Sequence, residues 1–466
     1  MSVHSLEDKI ASYGGDPLEM MRRAQSGAYV FPVPPEFTNW RDEQRSWREA
    51  AVLFDQSHHM TDLYVHGPDT LQLLSMIGVN TFTNFVPGQA KQFIACNTDG
   101  KVIGDSICFY LEPNKVLLIG RPTVQNWVEY HAKTGRFDVT TLKDARNVEN
   151  QGSRLTFRFQ VQGPNAAKIL ERVNGGPLPQ IKFFHLGEIR VAGHRVRALK
   201  HGMVGELGLE LWGPAKLGPE VHAALMQAGK DFGLKAAGGR AYATTPLESG
   251  WIPCPMPAIY SSEPMKRYRE YLPATGFEAL TSLGGSFASS NIEDYYLTPW
   301  DLGYGNFVKF DHDFIGRAAL EHLARQPHRK KVTLVWNRQD VIAVIASQFN
   351  ADPARRGKYL EWPASSYSTV AFDKVLDAKH ATVGLSTYSG YNANVGEWLS
   401  LAMLDAGFSD AGTEVALVWG EENGGSSKPT IERHVQMTIR ATVAPAPYNA
   451  TAVGVYREAF GGNIPT

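Results

Sequence analysis

A change of texture near residue 330 constrains this chain more than any other feature. A charged segment, "RAALEHLARQPHRKKV" (317–332), reads as the end of a helix followed by a linker. Beyond it come "VTLVWN", "ATVGLSTYSG", "EWLSLAMLD", "GTEVALVWG" and "HVQMTIRATVAPAPY", short strand-like runs with turn residues between them. Closely spaced short strands of this kind are how a small β-barrel or sandwich reads. A boundary is therefore expected near 330, with 331–466 as a C-terminal β-barrel domain.

Upstream the elements are mixed. Residues 6–27 read as a helical lead ending near Gly27, and "AYVFPVPPEF" (28–37) as extended chain, because proline restricts both itself and its predecessor. "DEQRSWREAAVLFD" (42–55) begins with helical spacing and ends like a strand, and "MTDLYVHG" (60–67) alternates like a half-buried strand. "GPDTLQLLSMIGVN" (67–80), "GPNAAKILERVN" (163–174) and "GPAKLGPEVHAALMQAGKDFG" (213–233) predict helices. "KQFIACNTDGKVIGDSICFYLEPNKVLLIG" (91–120) predicts strands joined at Asp99-Gly100 and Pro113-Asn114, and "GEIRVAGHRVRALKHG" (187–202) a hairpin. Strands and helices in mixed order, without a regular βαβ repeat, give an α+β fold. Residues 1–330 are expected to hold two interleaved domains. The 466-residue length agrees with about three domains in all.

Residues 249–297 stand apart, dense in Pro, Gly, Ser and aromatics. A loop this long inside a compact protein is usually functional or disordered, and its Trp, Tyr and Ile content argues against disorder. It is read as a wall over a ligand site.

A net charge of −1 without a long Lys/Arg block makes nucleic acid and anionic membranes poor partners. No apolar run is long enough to span a bilayer, and the N-terminus lacks the pattern of a signal peptide. Three scattered cysteines, Cys96, Cys108 and Cys254, fit a reducing cytoplasm. The oligomeric state is not legible.

The pair His58-His59 in "FDQSHHM" first suggests a metal, but adjacent residues on a strand point to opposite faces and HExxH is absent. "FDHDF" (310–314) reads as a turn with exposed charges, so no metal is expected. Neither GxGxxG, GxxxxGK[ST] nor GxSxG occurs. What remains is a set of polar and aromatic side chains in apolar segments. Gln160 and Gln162 alternate in "FRFQVQGP" and so share one face of a strand. Glu210 in "GLELWGP" is either a strand's solvent face or a buried acceptor. Arg121, at the end of "VLLIG", is a surface arginine or a binding group; Tyr242 and Trp251 are core or site.

Several segments together resemble the aminomethyltransferase family, typified by the T protein of the glycine cleavage system. "LFDQSHHM" is similar to that family's "FDVSHM", "NTDGKVIGD" to "NxxGGxxDD", and "QGPNAAKIL" and "GELGLELW" to "QGPxAxxxL" and "GExGxEL". "LTPWDLGYGNFVKFDHDFIGRAAL" (297–320) resembles "TPxEAGLGWxVKxDKDFIGRxAL". "GAYVFP", "GGRAYATTPLESGWIPCPMPAIY", "GGSFASSNIEDYY" and "WGEENGG" resemble one branch more closely, the tetrahydrofolate-dependent O-demethylases of vanillate and syringate. The resemblance implies a three-domain, ring-like fold with tetrahydrofolate in a central site and an aromatic acid as methyl donor. It implies Tyr242 as the acid at the ether oxygen and His59 as the contact to the neighbouring ring oxygen. Arg121 is implied at the substrate carboxylate, with Gln56, Ser57, Phe31 and Tyr29 around the ring. Glu210, Gln160 and Trp251 are implied at the folate.

Some members of the branch have Tyr and Thr where this chain has Phe31 and Ser57. Both differences remove bulk or a hydroxyl, so a second methoxy group should fit and syringate should be preferred over vanillate. "LLIGRPTVQNW" contains no Asp where the T protein is expected to carry its catalytic one, which argues against aminomethyl transfer. The competing expectations are another folate-dependent methyl or aminomethyl transferase, a folate-binding T-like protein without demethylase activity, and a sulfonium demethylase.

Overall fold

The computed structural model describes residues 3–150, 154–206, 208–422, 424–425 and 431–459. Leu207 and Asn423, which fall in the motifs "GELGLELW" and "WGEENGG", and residues 460–466 of the C-terminal segment, lie outside the described residues.

Two sheets and a barrel organise the chain. The strands of the first two are β1 (Ala51–Asp55), β2 (Thr61–His66), β3 (Ala90–Cys96), β4 (Val102–Glu112), β5 (Lys115–Gly120), β6 (Thr140–Asp144), β7 (Thr156–Gln162), β8 (Leu186–Val191), β9 (His194–His201), β10 (Gly208–Pro214) and β11 (Leu234–Ala237). One sheet has the order β11-β1-β7-β10-β9-β8 and the other β3-β4-β5-β2-β6. The mixed architecture is the α+β class expected from the sequence.

Period-two alternation decides what each face of the first sheet carries. Ala51 and Leu53 of β1, Phe157, Phe159 and Val161 of β7, and Leu209 and Leu211 of β10 pack in one core with helices Ala166–Asn174 and Gly218–Gly229. The residues between them, Arg158, Gln160 and Gln162 on β7 and Glu210 on β10, are thereby sent to the opposite face. Glu210 is 3% exposed, so it is not the solvent face of a strand. Val52 and Phe54 of β1 meet Trp40 and Trp47 of helix Trp40–Glu49 and also Tyr242. The two sheets close on each other through Phe109, Leu117, Ile119, Leu199 and Trp212.

The C-terminal strands are β12 (Lys330–Trp336), β13 (Asp373–Leu376), β14 (Thr382–Asn392), β15 (Glu397–Leu404), β16 (Glu414–Trp419) and β17 (Met437–Ala444). They pair antiparallel in the order β12-β15-β14-β13-β16-β17, and β17 pairs with β12 to close the ring. A six-stranded barrel, rather than a sandwich, is the outcome. The sequence reading missed β13, whose four residues "DKVL" are too few to show alternation.

The lead over 6–27 is two helices, Leu6–Ser12 and Pro17–Arg23. Gly14, Gly15 and Asp16 break it, with both glycines at positive φ. The 249–297 segment is ordered: Tyr260, Tyr268, Tyr295 and Tyr296 are buried in the largest core cluster. The first helix docks on it, Leu6 N–H donating to Leu272 O at 2.8 Å and Lys9 Nζ to Ala279 O at 2.7 Å. Among the described residues no helix is long and apolar enough to cross a membrane.

Candidate active site

β1 and β11 are adjacent and parallel, with Phe54 opposite Ala237. Parallel neighbours end on the same side, so the segments that follow them meet although they are far apart in sequence. After β1 comes the turn Gln56–His59; after β11 comes the one-turn helix Gly239–Tyr242. The result is a short contact between Tyr242 Oη and His59 Nε2, 2.8 Å. Gln56 Nε2 donates to Tyr242 Oη at 3.3 Å and to Gln160 Oε1 at 3.0 Å.

The expectation that His58 and His59 point apart because they lie on a strand is corrected: both stand in a turn after the strand has ended. Asp55 starts the turn by accepting from Ser57 N–H at 2.9 Å, as Asp does when it mimics a backbone turn. His58 turns outward to Asp55 Oδ2 (3.7 Å) and Asn147 (3.1 Å), and the bond to Asp55 raises its imidazole. Burial, with the charge of Arg121, pushes the His59 imidazole down to about 3. His59 is therefore neutral across the physiological range. Burial also raises the Tyr242 phenol.

Phe31 closes this group edge-on, 4.6 Å from the Tyr242 ring and 5.0 Å from the His59 ring, and Tyr29 lies 5.3 Å from Phe31. Glu43 sets their approach: it accepts from Phe37 N–H (2.7 Å) and Thr38 N–H (2.9 Å) on one oxygen and from Gly238 N–H (2.8 Å) on the other. Gly238 is required at this crossing, since a Cβ there would lie 2.3 Å from Pro35 O.

These side chains line a cavity of about 480 Å³, within the range of a small-molecule site. Tyr29, Phe31, Gln56, His59, Arg121, Glu210, Tyr242 and Trp251 all line it. Two expected site residues do not. Ser57 uses its hydroxyl on the backbone of Arg158, accepting from N–H at 3.0 Å and donating to O at 3.3 Å. Gln160 sits behind Gln56. Arg121 stands just before helix Pro122–Thr134; among the described residues no ion pair or hydrogen bond holds its guanidinium.

A second group of lining residues is ionic. Glu210 pairs with the buried Arg158, which reaches Asp62 at 3.3 Å. Asp105 accepts from Trp251 Nε1 (3.1 Å), Tyr304 Oη (3.0 Å) and Gln92 Nε2, and burial raises its carboxyl. Lys331 lines the same cavity; burial pushes its ammonium down to about 8, against the pull of Asp105. Sequence reasoning missed Asp105, Lys331, Arg146 and Tyr388. The signal for Asp105 was its place as the last residue of "NTDGKVIGD", matching an Asp of the family's "NxxGGxxDD". Its presence removes the argument from a missing Asp beside Arg121, because an acid reaches the cavity from another strand. Lys331, Thr369, Val370 and Tyr388 also line the cavity, so its wall is not confined to 1–330.

The polar atoms left over suit a heterocycle such as a pterin. Gln160 Nε2, Gln56 Oε1 and His201 Nδ1 are buried without a partner among the described residues, and buried polar groups rarely stay unpaired. Gln160 is paired in register with Glu210, and His201 lines the cavity. Donors and acceptors thus cluster beside one carboxylate.

Comparison with known proteins agrees with this architecture. Residues 18–256 match the GCVT N-terminal domain. A syringate O-demethylase of Sphingobium sp. (strain NBRC 103272 / SYK-6) is 47% identical over 459 residues, covering 98% of each chain. A sesamin methylene transferase of Sinomonas sp. (strain No.22) is 29% identical over 435 residues, covering 89% of this chain and 90% of that one. In fold, the glycine cleavage system aminomethyltransferase T of Bartonella henselae superposes with a TM-score of 0.60 at 17% identity, covering 92% of this chain and 96% of that one. A family match over half the chain, and near-half identity along almost its whole length, establish that this protein belongs to the GCVT family.

Proposed function

We propose that this chain is an aryl methyl ether O-demethylase. It transfers the methyl group of a methoxybenzoate, syringate before vanillate or 3-O-methylgallate, to N5 of tetrahydrofolate, and so serves the breakdown of lignin-derived aromatics in the cytoplasm. The observation that carries this reading is the neutral Tyr242–His59–Gln56 group in an aromatic pocket that shares one cavity with Arg121. The name of the Sphingobium relative points the same way.

Tetrahydrofolate, when bound, supplies the nitrogen that takes the methyl group and the proton that balances the new phenol. Glu210 and His201, which line the cavity, offer an acceptor and a ring nitrogen to a pterin, Gln160 helps to seat it from behind by holding Gln56, and Trp251, held by Asp105, offers a ring to pack on it. Arg121 pairs with the benzoate carboxylate, its planar fork suiting two-point recognition. Tyr29 and Phe31 enclose the ring. Such positioning of an in-line displacement contributes about 7–11 kcal/mol.

The leaving oxygen becomes a phenolate and needs a donor. Tyr242 provides it. Because burial raises its phenol above the ordinary tyrosine value, Tyr242 holds its proton more tightly than the leaving phenol does. It therefore acts first as a hydrogen-bond donor to the charge growing on that oxygen. Neutral His59 donates Nε2–H to Tyr242 Oη, 2.8 Å away, which leaves the phenol's single proton for the leaving oxygen, and offers Nδ1 as acceptor to the neighbouring ring hydroxyl. The preference for syringate rests on Phe31, which lacks a hydroxyl at the pocket wall; Ser57 no longer supports it, since its hydroxyl is bound elsewhere.

The test is a panel of methoxybenzoates with and without tetrahydrofolate, reading phenol product and methyl-folate together. Stoichiometric formation of both, fastest with syringate, is expected. Turnover of vanillate well above syringate would remove the specificity assignment, and no folate-dependent product from any methoxybenzoate would remove the function.

A further inference from the structure

We infer that Tyr388, a residue of the C-terminal barrel, is a positioning residue for Tyr242; the inference rests on the role given to Tyr242 above. The register of β14 against β15 shifts between Thr387 and Ser389, and Tyr388 between them has φ +50°. An aromatic residue rarely adopts positive φ. Such a conformation persists only where its surroundings over-determine it, and bulges commonly re-aim a side chain next to a site.

The side chain is aimed at the backbone beside Tyr242. Tyr388 Oη donates to Ala243 O at 2.5 Å. Ala243 directly follows the helix Gly239–Tyr242. One turn of helix has almost no stability of its own, so the position of the Tyr242 phenol is set by whatever grips the turn. Three grips exist. Glu43 holds Gly238 N–H at its start. Gln44 Nε2 donates to Thr244 Oγ1 at 2.8 Å, and Thr244 Oγ1 donates back to Ala241 O at 2.8 Å. Tyr388 holds the carbonyl immediately after the phenol-bearing residue, and of the three gripping side chains it is the one that also lines the cavity. The barrel thus reaches the carbonyl beside the phenol-bearing residue through one hydroxyl.

Tyr388→Phe tests this. It keeps the ring against the cavity and removes only the bond to Ala243. A shift of the order of 1 Å at the reacting groups costs about 10²-fold in rate, so kcat should fall by about 10- to 100-fold while KM for the aromatic acid stays nearly unchanged. A hydroxyl that only stabilised the fold would lower Tm and leave kcat per folded site untouched. Rates are referred to sites counted by tetrahydrofolate binding, so a partly folded preparation still decides the matter. The second arm places the change in a Tyr242→Phe background. Residues acting through one another do not add, so Tyr388→Phe should cost nothing further there. Wild-type kcat in Tyr388→Phe beside a crippled Tyr242→Phe overturns the inference alone, as does a full multiplication of the two losses. Wild-type kcat in Tyr242→Phe removes the reading of Tyr242 and the inference with it.

Discussion

Two groups of side chains share one cavity and are built on opposite electrostatic plans. Around Tyr242, His59, Gln56 and Phe31 everything is neutral: burial raises the phenol, pushes the imidazole down to about 3, and leaves aromatic edges around both. Around Glu210, Asp105 and Lys331 the side chains are ionisable and partnered: Glu210 pairs with Arg158, Asp105 takes three donors, and Lys331, its ammonium pushed down by burial, is drawn the other way by Asp105. The difference separates two tasks. A neutral pocket with apolar walls magnifies a hydrogen bond to charge that appears only during reaction, because low-dielectric surroundings screen it little. Fixed, compensated charges suit orientation of a polar heterocycle already present in the ground state.

Substitutions can break that contrast, and the largest expected effect is in the neutral group. Tyr242→Phe should lower kcat by about 10²–10⁴-fold, the usual worth of a positioned proton donor, with KM for the aromatic acid little changed. Steady-state kinetics on folded enzyme decides this, and an unchanged kcat would move the donor elsewhere. In the ionic group, Glu210→Gln should act first on stability. It leaves the buried Arg158 with only Asp62 at 3.3 Å, and breaking a buried pair costs up to about 3–5 kcal/mol. Urea unfolding measures it; a loss below about 1 kcal/mol would mean that the pair behaves as an exposed one.

Arg121→Met should raise KM for methoxybenzoates by about 10- to 100-fold, the worth of a charged hydrogen bond, with a smaller change in kcat. The matching methoxyphenol without a carboxylate should not feel the substitution. Equal losses on both substrates would show that Arg121 does not read the carboxylate.

The smallest effect is on acid stability. The His59 value in the fold lies below its unfolded value of about 6.5, so the neutral ring favours folding. That contribution is complete above pH ~6.5 and is lost as pH falls toward about 3. One such group gives at most about 1.4 kcal/mol per pH unit. His59→Asn should therefore flatten the fall of unfolding free energy between pH 6 and pH 4, and an unaltered slope would contradict the shift.

How much of this was readable beforehand follows from the range of each signal. Alternation is local, so the faces of β7 and β10, the hairpin β8–β9 and most of the barrel strands were legible, and Gln160 and Gln162 fell on one side as expected. Glu210 stayed ambiguous, because alternation sorts faces without saying which face meets water. The meeting of His59 with Tyr242 depends on β1 lying parallel to β11, a long-range pairing that no local pattern encodes; only the family resemblance brought the two together. Ser57 was misplaced because its partner is a backbone 101 residues away. Lys331 and Tyr388 were missed because they read as ordinary barrel residues until the barrel is seen to wall the cavity.

The most direct test of the central claim follows the methyl carbon itself. Enzyme given tetrahydrofolate and syringate carrying ¹³C in one methoxy group should yield labelled 5-methyltetrahydrofolate, one equivalent for each phenol formed, and nothing without folate. Label appearing as formaldehyde or methanol, or demethylation at the same rate without tetrahydrofolate, would contradict it.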